Sequence, residues 1–175
     1  MLVSNAAYLP ELVSIKDASI DDVMEGFVVN VRGNLILAQA FLANASASPT
    51  LLHISAGGAH APPVHPGLGG YVSSKLAAAK LMEYLAFENP HLKVVTIHPG
   101  SLDTAMNKKS VEGGFALPFD EPGLSTGFVM WAASPEAAFL RGRFVWANWD
   151  VDELIAKKDE IVNGVQLTLG LYGWL

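Results

Sequence analysis

Gly69-Gly70-Tyr71-Val72-Ser73-Ser74-Lys75-Leu76-Ala77-Ala78-Ala79-Lys80 is the stretch around which the chain is organised. The leucine and alanines of its second half favour helix, and the two glycines before Tyr71 allow an irregular backbone at its start. Residues four apart share a helix face, so Tyr71 and Lys75 lie one turn from each other. An ammonium that close to a phenol favours the phenolate and is expected to lower the Tyr71 pKa. A phenol so tuned can give a proton to a carbonyl or take one from an alcohol. The competing reading is a helix tyrosine beside a solvated lysine, and the pair alone does not separate the two.

Moving outward, the neighbouring segments alternate between strand and helix. Leu2-Val3-Ser4-Asn5-Ala6-Ala7 reads as the end of a buried strand entering a loop. Ser19-Ile20-Asp21-Asp22 reads as a helix start, a capping serine with a carboxylate three residues on. Apolar residues then recur at Ile20, Val23, Met24, Phe27, Val28 and Val31, with Asn30 inside the run and a second helical stretch from Leu35 to Ala43. A polar residue on a buried helix face needs partners, so Asn30 serves either local backbone or function. Leu51-Leu52-His53-Ile54-Ser55 is a short buried strand. A long Pro- and Gly-bearing connection follows, and the Tyr71 helix runs to about Glu88, ahead of Pro90. Leu92 to His98 is the next strand, closed by Pro99-Gly100.

Strands that alternate with helices predict a parallel α/β sheet, and such sheets bind ligands beyond the carboxyl ends of their strands. Asn5, Ser55, Tyr71 and Pro99-Gly100 all fall at or just after those ends. Further along, Ser110 to Phe119 reads as a mobile loop over the site. Gly123 to Ala133 reads as a helix, Pro135 to Leu140 as a short one, and Arg143 to Ala147 as a last strand. Val151 to Val162 reads as a charged helix and Gln166 to Leu175 as an apolar tail.

Composition narrows the partners. The 175 residues suit one domain, and half of them are hydrophobic, enough for a core without staples. A net charge of −6 with no basic tract argues against nucleic acid. No apolar run reaches the ~18 residues of a membrane span, and no secretory leader is visible. The absence of cysteine excludes disulfides and thiolate metal sites, and it fits a reducing, cytoplasmic setting. The five histidines lack ligand spacing, so no metal is expected. His60 and His65 are weighed instead as substrate contacts. Trp131, Trp146, Trp149 and Trp174 are read as core or interface.

Together these motifs resemble the short-chain dehydrogenase/reductase family, in particular its fungal oxidoreductase-like branch. Asn5-Ala6-Ala7 is similar to the family's Asn-Ala-Gly motif, Asn30 to its helix asparagine, Tyr71 and Lys75 to its Tyr-x-x-x-Lys pair, and Pro99-Gly100 with Thr104 to its Pro-Gly-x-x-x-Thr segment. The stretch Phe144 to Asp150 is similar to the end of the fungal branch. The resemblance implies a Rossmann-like, doubly wound parallel sheet, here truncated to roughly four strands with flanking helices in a single domain over 1–175. It implies an oxidoreductase using NADP or NAD on a small-molecule carbonyl or alcohol, with secondary metabolism as the setting. Tyr71 would be the general acid/base, Lys75 would hold the nicotinamide ribose, and Asn30 would hold a relay water. Asn5, Pro99 and Thr104 would line the cofactor.

Two departures from the family pattern shape the expectation. The family's substrate-orienting serine falls at Ala56, and Ser55 is the candidate to replace it. The Gly-rich turn that binds the pyrophosphate has no counterpart before Asn5. The first strand is therefore expected to be an exposed sheet edge that a homodimer or another chain covers. Two alternative functions follow: a non-redox isomerase, dehydratase or cyclase using Tyr71, and a non-catalytic interaction protein.

Overall fold

The structure is a computed structural model and describes residues 1–171. Four parallel strands form one sheet in the order β1 (Leu2–Ser4), β2 (Thr50–Ile54), β3 (Lys93–His98) and β4 (Arg143–Trp146). The register pairs Val3 with Leu52, Ile54 with Ile97, and Ile97 with Val145. Side chains of a strand alternate between faces, so each face of the central strands builds its own core. On one face Leu52, Ile54, Val95, Ile97 and Val145 pack with Phe128, Ala132 and Leu140. On the other, Leu51 and Val94 pack with Ala38, Met82 and Ala86. Each fully buried aliphatic side chain contributes about 1.5–3 kcal/mol. The fold class is thus the expected α/β sheet with helices on both faces.

The helices of the second face position the candidate site. Helix α1 (Ile20–Phe27) begins where the Ser19 side chain accepts the Asp22 N–H, as the sequence predicts. It continues without a break through a π-helical turn at Val28–Gly33 into α2 (Asn34–Ala43). The resulting helix, Ile20–Ala43, is long and apolar enough to cross a membrane by length and composition, which corrects the expectation of no such segment. Asn30, Arg32 and Asn34 interrupt the apolar residues in the middle of this helix, so the sequence shows two short runs. Gly26, Asn30, Asn34 and Ala38 recur once per turn and form its buried stripe. The neighbours of this helix are β1 and α3 (Gly69–Glu88).

The two glycines that open α3 are helical residues, not the irregular backbone expected. Their use is close approach: a Cβ on Gly70 would lie 3.1 Å from Val23, which lets α3 sit against α1. Ser110 also departs from expectation. Thr104 caps a helix α4 (Ala105–Glu112) by accepting the Asn107 N–H, so the loop read from Ser110 begins only after this helix. Helix α5 (Pro122–Ala133) and a 3₁₀ segment at Pro135–Leu140 match their predicted places. The single charged helix expected from Val151 is two, α6 (Val151–Ala156) and α7 (Lys158–Asn163), broken at Lys157. Of the expected tail, the Leu167 carbonyl accepts the Phe144 N–H along β4. Residues 172–175, including Trp174, lie outside the described residues.

β1 is an edge strand, as expected, and Val3 on it is 40% exposed. Beside it, His53 of β2 is fully buried, and neither ring nitrogen has a hydrogen-bond partner among the described residues. Burial, and to a lesser degree the Lys75 charge, holds this imidazole neutral, with a pKa lowered to about 3. The unfolded chain binds a proton at His53 below its ordinary value of 6.5. Between about 3 and 6.5 the unfolded state therefore carries more protons, so stability is full above this window and lost as pH falls through it. His98, lowered by burial to about 4, acts in the same sense. His53→Leu is expected to flatten the acid limb of stability in urea melts between pH 7 and pH 5. An acid limb as steep as the wild type's would contradict this account of His53.

Candidate functional site

The carboxyl ends of β2 and β3 meet the first turns of α3 and α4, and here the predicted residues gather. Lys75 is buried on α3 and its Nζ donates to the Ile54 carbonyl at 2.9 Å, which pins the ammonium to the end of β2. The same Nζ lies 5.8 Å from the Tyr71 ring centroid. Ser55, the next residue after β2, continues the ladder by donating its N–H to the Ile97 carbonyl at 2.8 Å. Its side chain is buried, and its Oγ has no partner among the described residues.

Asn30 is joined to this group through α3. Its Nδ2 donates to the Ser74 Oγ at 2.9 Å and to the Tyr8 carbonyl at 2.8 Å, and its Oδ1 accepts the Tyr8 N–H at 2.8 Å. The Ser74 hydroxyl in turn donates to the Tyr71 carbonyl at 2.7 Å. One buried amide thus ties the segment after β1 to the helix that carries Tyr71 and Lys75. The Asn30 carbonyl accepts Asn34 Nδ2 at 2.7 Å, and Asn34 Oδ1 accepts the Ser4 hydroxyl at 2.5 Å. The π-turn places this carbonyl where a side chain can reach it, a use common for such turns at functional sites. Both side-chain N–H groups of Asn30 are spent, so a relay water would have to use its oxygens.

Electrostatics at the pair correct one expectation. Burial pushes the Tyr71 phenol up to about 12 and the Lys75 ammonium down to about 8. The lysine does not make a phenolate of Tyr71 here. Desolvation penalises both charged forms, and the Lys75 Nζ spends its hydrogen bond on Ile54. The Tyr71 hydroxyl donates to Met106 Sδ on α4 at 3.8 Å.

The remaining predicted residues flank this centre. Pro99 and Gly100 close β3, and Gly100 needs its positive φ of 87°. Asp120 seals this turn: its Oδ2 accepts the Ser101 N–H at 2.8 Å and its Oδ1 accepts Asn148 Nδ2 at 2.8 Å. Thr104 is exposed and caps α4. Asn5 is exposed after β1. The two loop histidines weighed as substrate contacts have structural partners. His60 Nε2 accepts the Trp146 Nε1–H at 2.7 Å, and His65 Nδ1 accepts the Gly67 N–H at 3.2 Å. Trp131 packs against the core, and Trp146 and Trp149 stack 6.3 Å apart. Ser74, Asp120 and Met106 carry no pattern that would have marked them in the sequence. They are found only through partners distant along the chain.

A nicotinamide ribose fits the groups at this end of the sheet. The ammonium of Lys75 has N–H groups beyond the one given to Ile54, and the buried Ser55 hydroxyl has no partner among the described residues.

The comparisons with known proteins concern the family and the fold. The short chain dehydrogenase family matches residues 1–113. A short chain dehydrogenase/reductase of Claviceps purpurea is 36% identical over 98% of this chain and 59% of its own length. One from Aspergillus aculeatus, AacuD, is 36% identical over 98% of this chain and 61% of its own. The chain therefore spans about three fifths of the length of the curated relatives it matches. Among solved structures, a short chain dehydrogenase of Escherichia coli complexed with NADPH has a TM-score of 0.74 at 23% identity, covering 84% of this chain and 62% of that one. At that identity it speaks for the fold alone. The motifs, the parallel sheet, the family match and the fungal relatives coincide, and the chain belongs to the short-chain dehydrogenase/reductase family.

Proposed function

We propose that this chain carries the catalytic end of an oxidoreductase that interconverts a carbonyl and an alcohol on a small molecule with NADP or NAD. The observation that carries the reading is the placing of Tyr71 and Lys75 at the carboxyl end of β2, held there through Ile54, Ser74 and Asn30. The nicotinamide would supply or accept hydride. Tyr71, protonated at neutral pH, would give its proton to the carbonyl oxygen in reduction and take it back in oxidation. Lys75 would hold the ribose through its remaining N–H groups. Ser55 would orient the substrate oxygen in place of the family serine that falls at Ala56. Asn30 would hold the proton-relay water through its oxygens while positioning α3. Asn5, Pro99 and Thr104 would line the nicotinamide side. Membership of the family supports this cofactor class, and a setting in secondary metabolism is carried over from the resemblance to the family's fungal branch. The cysteine-free composition supports a cytoplasmic one.

A second reading, proton transfer by Tyr71 without a dinucleotide, is supported by the phenol itself, which burial keeps protonated at neutral pH. Exposed apolar side chains support a further partner. Ile20 and Met24 on α1, Ile36 on α2, and Tyr84 and Phe87 on α3 all face outward, Phe87 at 80% exposure. A second copy of the chain on these helices, or another chain on β1, would cover them.

Tyr71→Phe is expected to reduce NADPH-dependent turnover of a ketone at least ~10²-fold. Undiminished turnover would sink the acid/base role. Turnover that needs no added nicotinamide would replace the redox reading with the proton-transfer one. In sedimentation, the wild type is expected near twice 18.6 kDa and Phe87→Asp near the single mass. A monomeric wild type would remove the homodimer.

A further inference from the structure

We propose that Met106 is the specificity-determining residue of this site: its thioether occupies the hydrogen-bonding position that a substrate oxygen must take over from it. The inference rests on the dehydrogenase reading above and deepens it. It begins with one contact, the Tyr71 hydroxyl donating to Met106 Sδ at 3.8 Å. A phenol that serves a carbonyl must point its O–H at the carbonyl oxygen. Here the group it points at is a sulfur. A thioether is a weak acceptor, so a ketone oxygen can replace it at little cost.

What must move for that exchange is the side chain, because the helix beneath it is fastened at both ends. At the start of α4, Thr104 caps the helix, and Asn107 Nδ2 donates to the Ser101 Oγ and the Leu102 carbonyl at 2.9 and 2.8 Å. At its end, Lys109 Nζ donates to the Leu9 carbonyl at 2.8 Å and pairs with Glu11 at 2.7 Å. Ser110 Oγ donates to the Phe115 carbonyl at 2.9 Å. Swinging α4 away would break the Lys109 contacts with Leu9 and Glu11, whereas Met106 has rotatable bonds of its own and a soft, adaptable shape.

This arrangement selects for chemistry as well as size. Met106 brings no charge and no N–H to the substrate side of Tyr71. The phenol is itself held neutral by burial. A carbonyl entering here loses water and gains apolar contact, so the class favoured is a neutral ketone with an apolar flank, not a charged keto acid. The side chain at position 106 then sets how large that flank can be.

The test uses methyl-¹³C methionine in the full chain. Its five methionines give five methyl signals, with Met106 assigned by its loss in Met106→Leu. The Met106 signal is expected to shift in Tyr71→Phe and on titration with α-tetralone. With NADPH, Met106→Ala is expected to raise kcat/KM for α-tetralone relative to cyclohexanone by about tenfold. Met106→Leu, which keeps the volume, should leave that ratio near the wild type's. A Met106 signal that moves with neither Tyr71→Phe nor α-tetralone would overturn the proposal. So would an unchanged ratio in Met106→Ala. If the signal moves and no variant oxidises NADPH, the placing of Met106 stands and the redox reading falls.

Discussion

Everything at the site depends on one buried amide. Asn30 stands in the middle of a membrane-length apolar helix, fully enclosed, where an unpaired amide would cost several kcal/mol. It is not unpaired: it bonds both backbone groups of Tyr8 and the hydroxyl of Ser74. The first two bonds fix the loop leaving β1, and the third fixes α3. Because Ser74 lies between Tyr71 and Lys75, holding Ser74 sets the phase of the helix that presents both. The π-turn at Val28–Gly33 is part of the same device, since it brings the Asn30 carbonyl to Asn34 and so to Ser4 of β1.

Burial then decides the charge state of the pair. A lysine near a tyrosine can pull the phenol's proton off, but only where its own charge is cheap to keep. At the end of β2 it is not: the enclosure disfavours the ammonium and the phenolate together. The result is a phenol that keeps its proton at neutral pH, suited to act as an acid toward a carbonyl. The Ile54 carbonyl is what keeps the lysine where it is in spite of that cost.

The sequence was informative wherever periodicity or punctuation carried the information. The strands around Leu52 and Val95, the helix after Ser19, and the Tyr71 helix ending before Pro90 all follow from spacing, caps and breakers. Asn5, Ser55, Tyr71 and the Pro99-Gly100 turn could be placed at or just after the strand ends, Lys75 one turn along from Tyr71, and Asn30 inside a helical run. What could not be read was how distant pieces meet. The role of Ser74 exists only because Asn30 faces it from 44 residues away. Asp120 was invisible because its partners, Ser101 and Asn148, are far from it along the chain. Helix α4 was missed because its polar middle gives little apolar rhythm, and the glycines after it look like loop. The sign of the Tyr71 shift was misjudged because proximity of charges is written in the sequence and desolvation is not.

The central claim is that Asn30 and Ser74 act as one unit holding α3 in place. A double-mutant cycle on Asn30→Ala and Ser74→Ala, read as unfolding free energies in urea, tests it most directly. The account predicts a coupling of at least ~1 kcal/mol between the two substitutions. Effects that simply add would mean that the two side chains do not depend on each other, and the positioning of Tyr71 and Lys75 would need another cause.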